Sequence, residues 1–189
     1  MYFKKFLSNF NLTFFILVMG VVLIMNIKKI TISSMFIAIS VLLGHLIYIP
    51  FGFAKCFPIQ HTINVLSVVI LGPFYGIINA FCISCLRNFI GTGSLLAFPG
   101  SMIGALICGI IYKYTKNILF TSIGEVLGTG LFGGILAIPV AVLIMGGEAG
   151  ALTYVIPFTL SSLVGSAIAY IILKSKEFII LNKDLNKGE

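Results

Sequence analysis

The sequence predicts an all-α integral membrane protein built from about six closely spaced hydrophobic helices. Of the 189 residues, 59% are hydrophobic and only 9% are charged, and the mean hydropathy is +1.17. A soluble domain carries roughly 25% charged residues to cover its water-facing surface. Lipid must therefore cover most of this surface. Six or seven spans of about 20 residues nearly exhaust the length, and apolar runs this long suit helices rather than barrel strands.

Proline and glycine residues divide the apolar sequence into six predicted helices. They are Ile30–Ile49, Ile59–Leu71, Phe74–Phe89, Ser101–Tyr114, Ile118–Met145 and Leu152–Leu173. Pro50 ends the first helix, and Gly72-Pro73 marks a tight cytoplasmic turn after the second. Pro139 predicts a kink in the fifth helix. Helices two to four are short for a full span, which is tolerated where polar loops dip into the bundle and are covered by protein.

Basic residues predict the orientation of this six-helix unit. Eight lysines fall on one side and only Lys55 and Arg87 fall on the other. The eight are Lys28, Lys29, Lys113, Lys116, Lys174, Lys176, Lys183 and Lys187. Because cytoplasmic loops carry an excess of Lys and Arg, both ends of the unit are expected on the cytoplasmic side of the cell membrane. The charges flank apolar runs and form no basic face, which argues against a nucleic-acid partner.

The chain divides into three segments. Residues 28–175 form the six-helix domain, residues 176–189 a polar cytoplasmic tail, and residues 1–27 an extra N-terminal hydrophobic segment. Within the last of these, Phe10–Asn26 is an apolar run with lysines on both flanks. Its interpretation stays open between a seventh span, an interfacial segment, a signal-like segment, and an artefact of a start placed upstream of Met25.

Polar and special residues collect at two places, both on the expected outer side. The first, between helices one and two, contains His45, Tyr48, Pro50, Lys55, Pro58, Gln60, His61 and Asn64. The second, after helix three, contains Arg87, Asn88, Thr92, Ser94, Phe98 and Pro99. Two such loops on one face predict a small ligand pocket with aromatic walls. The Gln60 and Asn64 amides share one helix face and suit a neutral polar ligand, although bonds to loop backbone would also explain them.

Glu125 is the acidic residue that lies well inside a predicted span. Its carboxylate is expected to bond the bundle interior, to pair with a lysine near the interface, or to carry a proton. The glycines around it let helices approach closely. On helix one, the pairs Ser34/Ala38 and Ser40/Gly44 predict either close packing within the bundle or a docking face for another membrane subunit.

The cysteines and histidines predict no metal site and no disulfide framework. Cys82 and Cys85 form a C-x-x-C without a second pair, inside an apolar run. A site made of His45, His61 and Cys56 would match no recognised ligand spacing. Cys108 and the other cysteines are interpreted as small packing residues.

Motifs for ATP hydrolysis and for common catalytic nucleophiles are missing from the sequence, so no enzyme activity is predicted. A binding subunit that takes its energy from partners fits this scarcity. Two other classes stay open: an intramembrane enzyme that uses Glu125 or a histidine, and a scaffold protein with no ligand.

Several blocks of the sequence closely resemble the ThiW family. They are GHLIYIP (44–50), AKCFPIQHTINV (54–65), LGPFYG (71–76), LRNFIGTGSLLAFPGSMIGA (86–105) and GEVLGTG (124–130), and the resemblance covers about residues 28–174. ThiW proteins are the substrate-binding S components of energy-coupling factor (ECF) transporters assigned to hydroxyethylthiazole, the thiazole precursor of thiamin. A related alternative is an S component for another thiamin-related or small aromatic vitamin.

The resemblance implies a six-helix bundle that binds its ligand near the outer surface. A membrane coupling subunit (T component) and two ATPases would complete the transporter and use the ATP, so the chain itself needs no cofactor. Ser34-x-x-x-Ala38 occupies the position of the family's coupling face, with Ser in place of the usual first Ala. The implied pocket walls are Tyr48, Phe51, Phe57 and Phe98, and the implied polar partners are Gln60, His61, Asn64, Asn88 and Thr92, with Arg87 orienting the loop.

Overall fold

The computed structural model describes residues 27–51, 54–146 and 152–175. This part of the chain forms six helices and one two-stranded hairpin. The helices are α1 (Ile27–Leu46), α2 (Pro58–Leu71), α3 (Pro73–Phe89), α4 (Ala97–Thr115), α5 (Ile118–Leu143) and α6 (Val155–Lys174). Within the described ranges, α1, α4, α5 and α6 are long and apolar enough to cross a membrane, and α2 is a shorter apolar helix. The predictions for Phe10–Asn26, for a start at Met25 and for the tail 176–189 lie outside the described residues.

The helices lie close to their predicted positions, with different ends. α1 ends at Leu46 rather than Ile49, because Ile49–Phe51 is a short strand, β1. α4 begins at Ala97, before Pro99. A proline is tolerated there because the first N–H groups of a helix have no partner within it. α5 ends at Leu143 and α6 begins at Val155, so both are slightly shorter than predicted.

The structure is consistent with the all-α prediction, and one short antiparallel hairpin, which was not predicted, joins α1 to α2. Strand β1 (Ile49–Phe51) pairs with β2 (Ala54–Cys56), and Pro50 lies opposite Lys55. Strands of three residues are too short to show an alternating pattern, so the sequence does not reveal them. The hairpin brings Cys56 and Phe57 against α6, where the Phe57 N–H donates to Ser161 Oγ at 2.8 Å and the Cys56 thiol to the Pro157 carbonyl at 3.3 Å. Burial raises the pKa of the Cys56 thiol, so this donor keeps its proton.

Helix α2 occupies the centre of the bundle. Every residue from Gln60 to Val68 is buried, and the helix packs on α1, α3, α4, α5 and α6. Its apolar residues join a core that includes Ile63, Val65, Val68, Ile83 and Leu173. At its end Gly72 has a φ of 104°, which reverses the chain into α3 and confirms the predicted Gly72-Pro73 turn.

Helix α5 changes its hydrogen bonding in the middle. It is α-helical over Ile118–Val126, π-helical over Leu127–Gly133 and α-helical again over Gly134–Leu143. The sequence places the irregularity at Pro139, whereas the structure places a π-helical segment before that residue. Glycines line this segment because neighbouring backbones approach closely: a Cβ on Gly128 would lie 2.9 Å from the Gly104 Cα.

Candidate ligand-binding site

Six elements enclose a small cavity at the hairpin end of the bundle. This inner cavity has a volume of about 70 Å³, well below the roughly 300–1,000 Å³ of pockets for drug-sized ligands. Its lining is Lys55, Phe57, Gln60, His61, Arg87, Gly93, Ser94, Ala97, Gly100, Ser101, Thr129, Pro157, Phe158 and Ser161. The aromatic rings of Phe57 and Phe158 are thus combined with hydroxyl, amide and imidazole groups in one small space.

A larger cavity, the vestibule, continues outward from the inner cavity. It has a volume of about 440 Å³ and shares Lys55, Phe57, Gly93, Ser94, Pro157 and Phe158 with the inner cavity. Its other lining residues are His45, Tyr48, Gly91, Thr92, Leu96 and Tyr154. The hairpin end, the α3–α4 loop and the start of α6 therefore line two adjacent cavities.

A buried polar network lies beneath the inner cavity and centres on Glu125. Three groups converge on Glu125 Oε1: Asn64 Nδ2 donates at 2.9 Å, Thr129 Oγ1 donates at 3.1 Å, and His61 Nδ1 lies at 3.0 Å. Asn64 Nδ2 also contacts Ser101 Oγ at 2.9 Å. Glu125 and Asn64 are fully buried, so the network ties α2, α4 and α5 together away from water.

The carboxylate of Glu125 fits tightly against α4. A Cβ on Gly104 would lie 2.9 Å from both carboxylate oxygens and would collide with Thr129 Oγ1. Only a glycine at position 104 leaves room for the side chain. Glu125 is thus an interior partner of the bundle, and the basic side chain that it contacts among the described residues is His61 rather than a lysine.

Arg87 joins the α3–α4 loop to the start of α2. Its guanidinium donates to Gln60 Oε1 through Nη1 and to the Thr92 carbonyl through Nη2 at 3.1 Å. The Arg87 Cζ also lies 3.8 Å from the centre of the Phe57 ring. The side chain is only 1% exposed. It is therefore a fixed part of the cavity wall and not a snorkelling anchor.

The structure brings most of the predicted site residues to the two cavities. Phe57, Gln60, His61 and Arg87 line the inner cavity, and Tyr48, Phe57 and Thr92 line the vestibule. The Tyr48 and Phe57 rings pack together, with centres 6.4 Å apart.

Three predicted site residues line neither cavity. Asn64 lies behind the cavity in the polar network. Asn88 holds the loop, because its amide donates to the carbonyls of Ser84 at 2.8 Å and Ser94 at 3.0 Å. Phe98 packs on Phe81 with ring centres 5.9 Å apart. Phe51, an implied wall, also lines neither cavity and is 42% exposed.

Helix α6 and Tyr154, the residue just before it, supply cavity residues that the sequence pattern did not predict. Tyr154, Pro157, Phe158 and Ser161 belong to the last apolar run of the sequence. A weak signal was available, since the hydroxyl residues Thr159, Ser161 and Ser162 interrupt that run. Thr129, Ser101 and Lys55 were likewise not assigned to the ligand.

The two small-residue pairs of α1 point in different directions. Ser40 is fully buried, and Gly44 faces the Arg87 guanidinium, 3.9 Å from where its Cβ would be. Ser34 and Ala38 are exposed on the outer face of the helix. Packing within the bundle therefore explains the pair Ser40 and Gly44 and does not explain the pair Ser34 and Ala38.

A metal site does not form from the residues considered for one. Over residues 27–51, 54–146 and 152–175, no three His, Cys, Asp or Glu side chains are grouped as metal ligands would be. His45 lines the vestibule, whereas His61 contacts Glu125. Cys82 and Cys85 are free thiols.

The fold and the site together define a multi-pass membrane protein with a polar and aromatic pocket at one end of its helical bundle. Comparison with known families then assigns it. The family model described as thiamine-precursor transporter protein (ThiW) matches residues 30–177, which is most of the chain. The chain belongs to the ThiW family of thiamine-precursor transporters. No curated protein and no solved structure matches it.

Proposed function

We propose that this chain is the substrate-capture subunit of an ECF-type importer and that it binds hydroxyethylthiazole across the inner cavity and the adjoining part of the vestibule. The observation that carries the proposal is this pair of cavities, which combines aromatic walls with several hydrogen-bonding groups. Hydroxyethylthiazole is a single substituted aromatic ring without charge at neutral pH. A ligand of that kind needs a flat apolar wall and one or two hydrogen bonds.

Phe57 and Phe158 supply the flat walls in this proposal. His61 supplies an acceptor for the ligand hydroxyl, because the contact between its Nδ1 and Glu125 Oε1 places the proton of a neutral ring on Nδ1. The other ring nitrogen, Nε2, then carries a free lone pair. Glu125 and Asn64 position the histidine and do not touch the ligand.

The vestibule is the proposed entry path from outside the cell. Tyr48 and Thr92 line it, and Arg87 fixes its loop through the Thr92 carbonyl. Lys113 and Lys116 end α4 at the opposite end of that helix from the cavity. This arrangement supports a cytoplasmic location for both ends of the six-helix unit in the cell membrane.

Energy for transport is proposed to come from partners: a membrane coupling subunit and two ATPases that bind and hydrolyse ATP. The exposed pair Ser34 and Ala38 is the proposed contact with the coupling subunit, since small side chains let two helices pack closely within a membrane. The chain itself is proposed to need no cofactor.

A direct binding titration tests the proposal. The detergent-solubilised protein is titrated with hydroxyethylthiazole, with thiamin and the pyrimidine precursor as comparison ligands. Selective binding of the thiazole without ATP or partners is expected. Binding of a different small aromatic vitamin would support the alternative S component, and no binding to any of them would contradict the thiazole assignment.

The same samples test the enzyme alternative, which the contact between His61 and Glu125 keeps open. A buried acid and base side by side can move a proton. The thiazole recovered after long incubation with the protein is expected to be chemically unchanged by mass spectrometry. Conversion of the ligand into a product would contradict a role limited to binding and transport.

Two amide substitutions test one residue of the cavity wall and one residue of the network behind it. Gln60→Ala and Asn64→Ala are each expected to weaken thiazole binding by about 1–2 kcal/mol, Gln60 at the cavity wall and Asn64 through the network that holds His61. Asn79→Ala is the matched control, because Asn79 is an equally buried amide that donates to Ser67 and lines neither cavity. Unchanged affinity in both test variants would remove these residues from the site.

A further inference from the structure

The described lining of the two cavities carries positive charge. Lys55 lines both cavities and Arg87 lines the inner one, whereas no Asp or Glu among the described residues lines either. Glu125 lies behind the inner cavity, fully buried, with its Oε1 in contact with His61, Asn64 and Thr129. With the two cations and this one carboxylate counted, the site keeps a net positive charge.

Two aromatic rings of the site are already in contact with these cations. The Lys55 ammonium lies 4.9 Å from the centre of the Tyr48 ring, and the Arg87 Cζ lies 3.8 Å from the centre of the Phe57 ring. An aromatic face attracts a cation through its quadrupole. Each of these rings therefore already has a cation of the protein against its face. In a site that binds a cationic ligand, the ligand would take that place.

We propose that Lys55 and Arg87 make the site select by charge, so that it takes a neutral thiazole ring and rejects a cationic thiazolium ring. This inference rests on the proposed function and names the feature that separates the precursor from thiamin, whose thiazole nitrogen is quaternary. Phe158 offers a flat wall to either ring, so the discrimination comes from the fixed cations and not from shape.

The size of the effect follows from Coulomb repulsion. Two like charges about 8 Å apart at an effective dielectric constant of about 20 repel strongly enough to lower affinity about 30-fold. Arg87 is almost fully buried, so salt screens its contribution weakly. Lys55 is exposed, and its contribution is expected to fall as salt rises.

The test compares two ligands of the same shape and different charge. One is hydroxyethylthiazole methylated on its ring nitrogen, a permanent cation. The other is the thiophene analogue in which an uncharged ring carbon carries that methyl group. Calorimetric titration at low salt is expected to give about 30-fold weaker binding of the cation. Equal affinities for the two would overturn the proposal, whereas the proposed function fails only if unmodified hydroxyethylthiazole does not bind.

Substitutions then assign the effect to the named side chains. Lys55→Gln is expected to reduce the ratio of the two affinities several-fold, whereas Lys55→Arg keeps the charge and the ratio. Lys113→Gln is the matched control, because Lys113 also lies near a tyrosine ring but lines neither cavity. The ratio of the two ligand affinities in this variant should equal the ratio in the native chain. If Lys55→Gln and Arg87→Gln, both eluting as monodisperse protein, leave the ratio unchanged, the assignment to these cations is wrong.

Discussion

Helices α1 and α2 are neighbours that face different surroundings. All residues of α2 from Gln60 to Val68 are buried, whereas only Ser33, Ser40 and Gly44 are buried along α1. Polar side chains on α2 must find partners inside the protein, because an unsatisfied polar group in a membrane costs several kcal/mol. Polar side chains on the exposed face of α1 meet the same demand within their own helix: the Ser34 hydroxyl donates to the Ile30 carbonyl at 3.0 Å. The contrast separates residues that build the pocket from residues that are open to a partner.

The largest effect on stability is expected from removing the Glu125 carboxylate, which binds side chains of α2. Glu125→Ala leaves Asn64 and His61 without their shared acceptor, and we expect a loss of about 3 kcal/mol in the free energy of unfolding. Thermal unfolding in detergent measures it. Glu125→Gln keeps the shape and one acceptor oxygen and should lose less. A Glu125→Ala protein as stable as the native chain would show that the network does not hold α2 to α5.

Adding one methyl group where α2 meets α6 should have the next largest effect. A Cβ on Gly165 would collide with the Pro58 carbonyl oxygen and would lie 2.8 Å from the His61 Cβ. Gly165→Ala must therefore push the helices apart, at a cost of about 1–3 kcal/mol.

Gly44→Ala on α1 is the matched control for that substitution. Its new Cβ would meet the Arg87 guanidinium only at 3.9 Å, an ordinary contact. Relief of the glycine entropy penalty in a helix favours it by roughly 0.5–1 kcal/mol. The comparison between α1 and α2 would be contradicted if Gly44→Ala proved the more damaging of the two in the same unfolding measurement.

Substitutions on the exposed face of α1 should affect the isolated protein least. Ser34→Leu and Ala38→Leu are expected to change the free energy of unfolding by less than about 0.5 kcal/mol and to leave thiazole affinity intact. Co-purification with the coupling subunit should nevertheless fall, since bulky side chains keep a partner helix at a distance. Ser40→Leu, at a fully buried position, serves as the contrast and should destabilise the protein itself. Full co-purification of both exposed variants would place the docking face elsewhere.

The sequence predicts the helices well because each depends on local information. Runs of apolar residues, bounded by Gly72-Pro73 or by the lysines after α4, place the helices to within a few residues. The hairpin and the π-helical segment Leu127–Gly133 were not predicted. The first is too short to show a period, and the second depends on close approach to α4 and α6.

The sequence also predicts the candidate site only in part. Gln60, His61 and Arg87 were singled out because polar residues are rare in a chain with this hydropathy. Asn64 and Asn88 were singled out on the same grounds but line neither cavity, and Phe98, which was expected as an aromatic wall, lines neither as well. Composition identifies which side chains need partners inside a membrane, but it does not say whether the partner is a ligand or another residue.

Solvation by lipid therefore let the sequence alone determine the class of protein, the places of the six helices within the described residues and the end of the bundle where polar residues gather. The tertiary structure decided which of those residues meet. His61 and Glu125 are 64 residues apart, and α6 contributes Phe158 from the last, mostly apolar run of the sequence. Contact between these residues depends on how each helix is rotated and on close packing at glycines. Many side chains along the chain determine both features jointly, so no single segment encodes them.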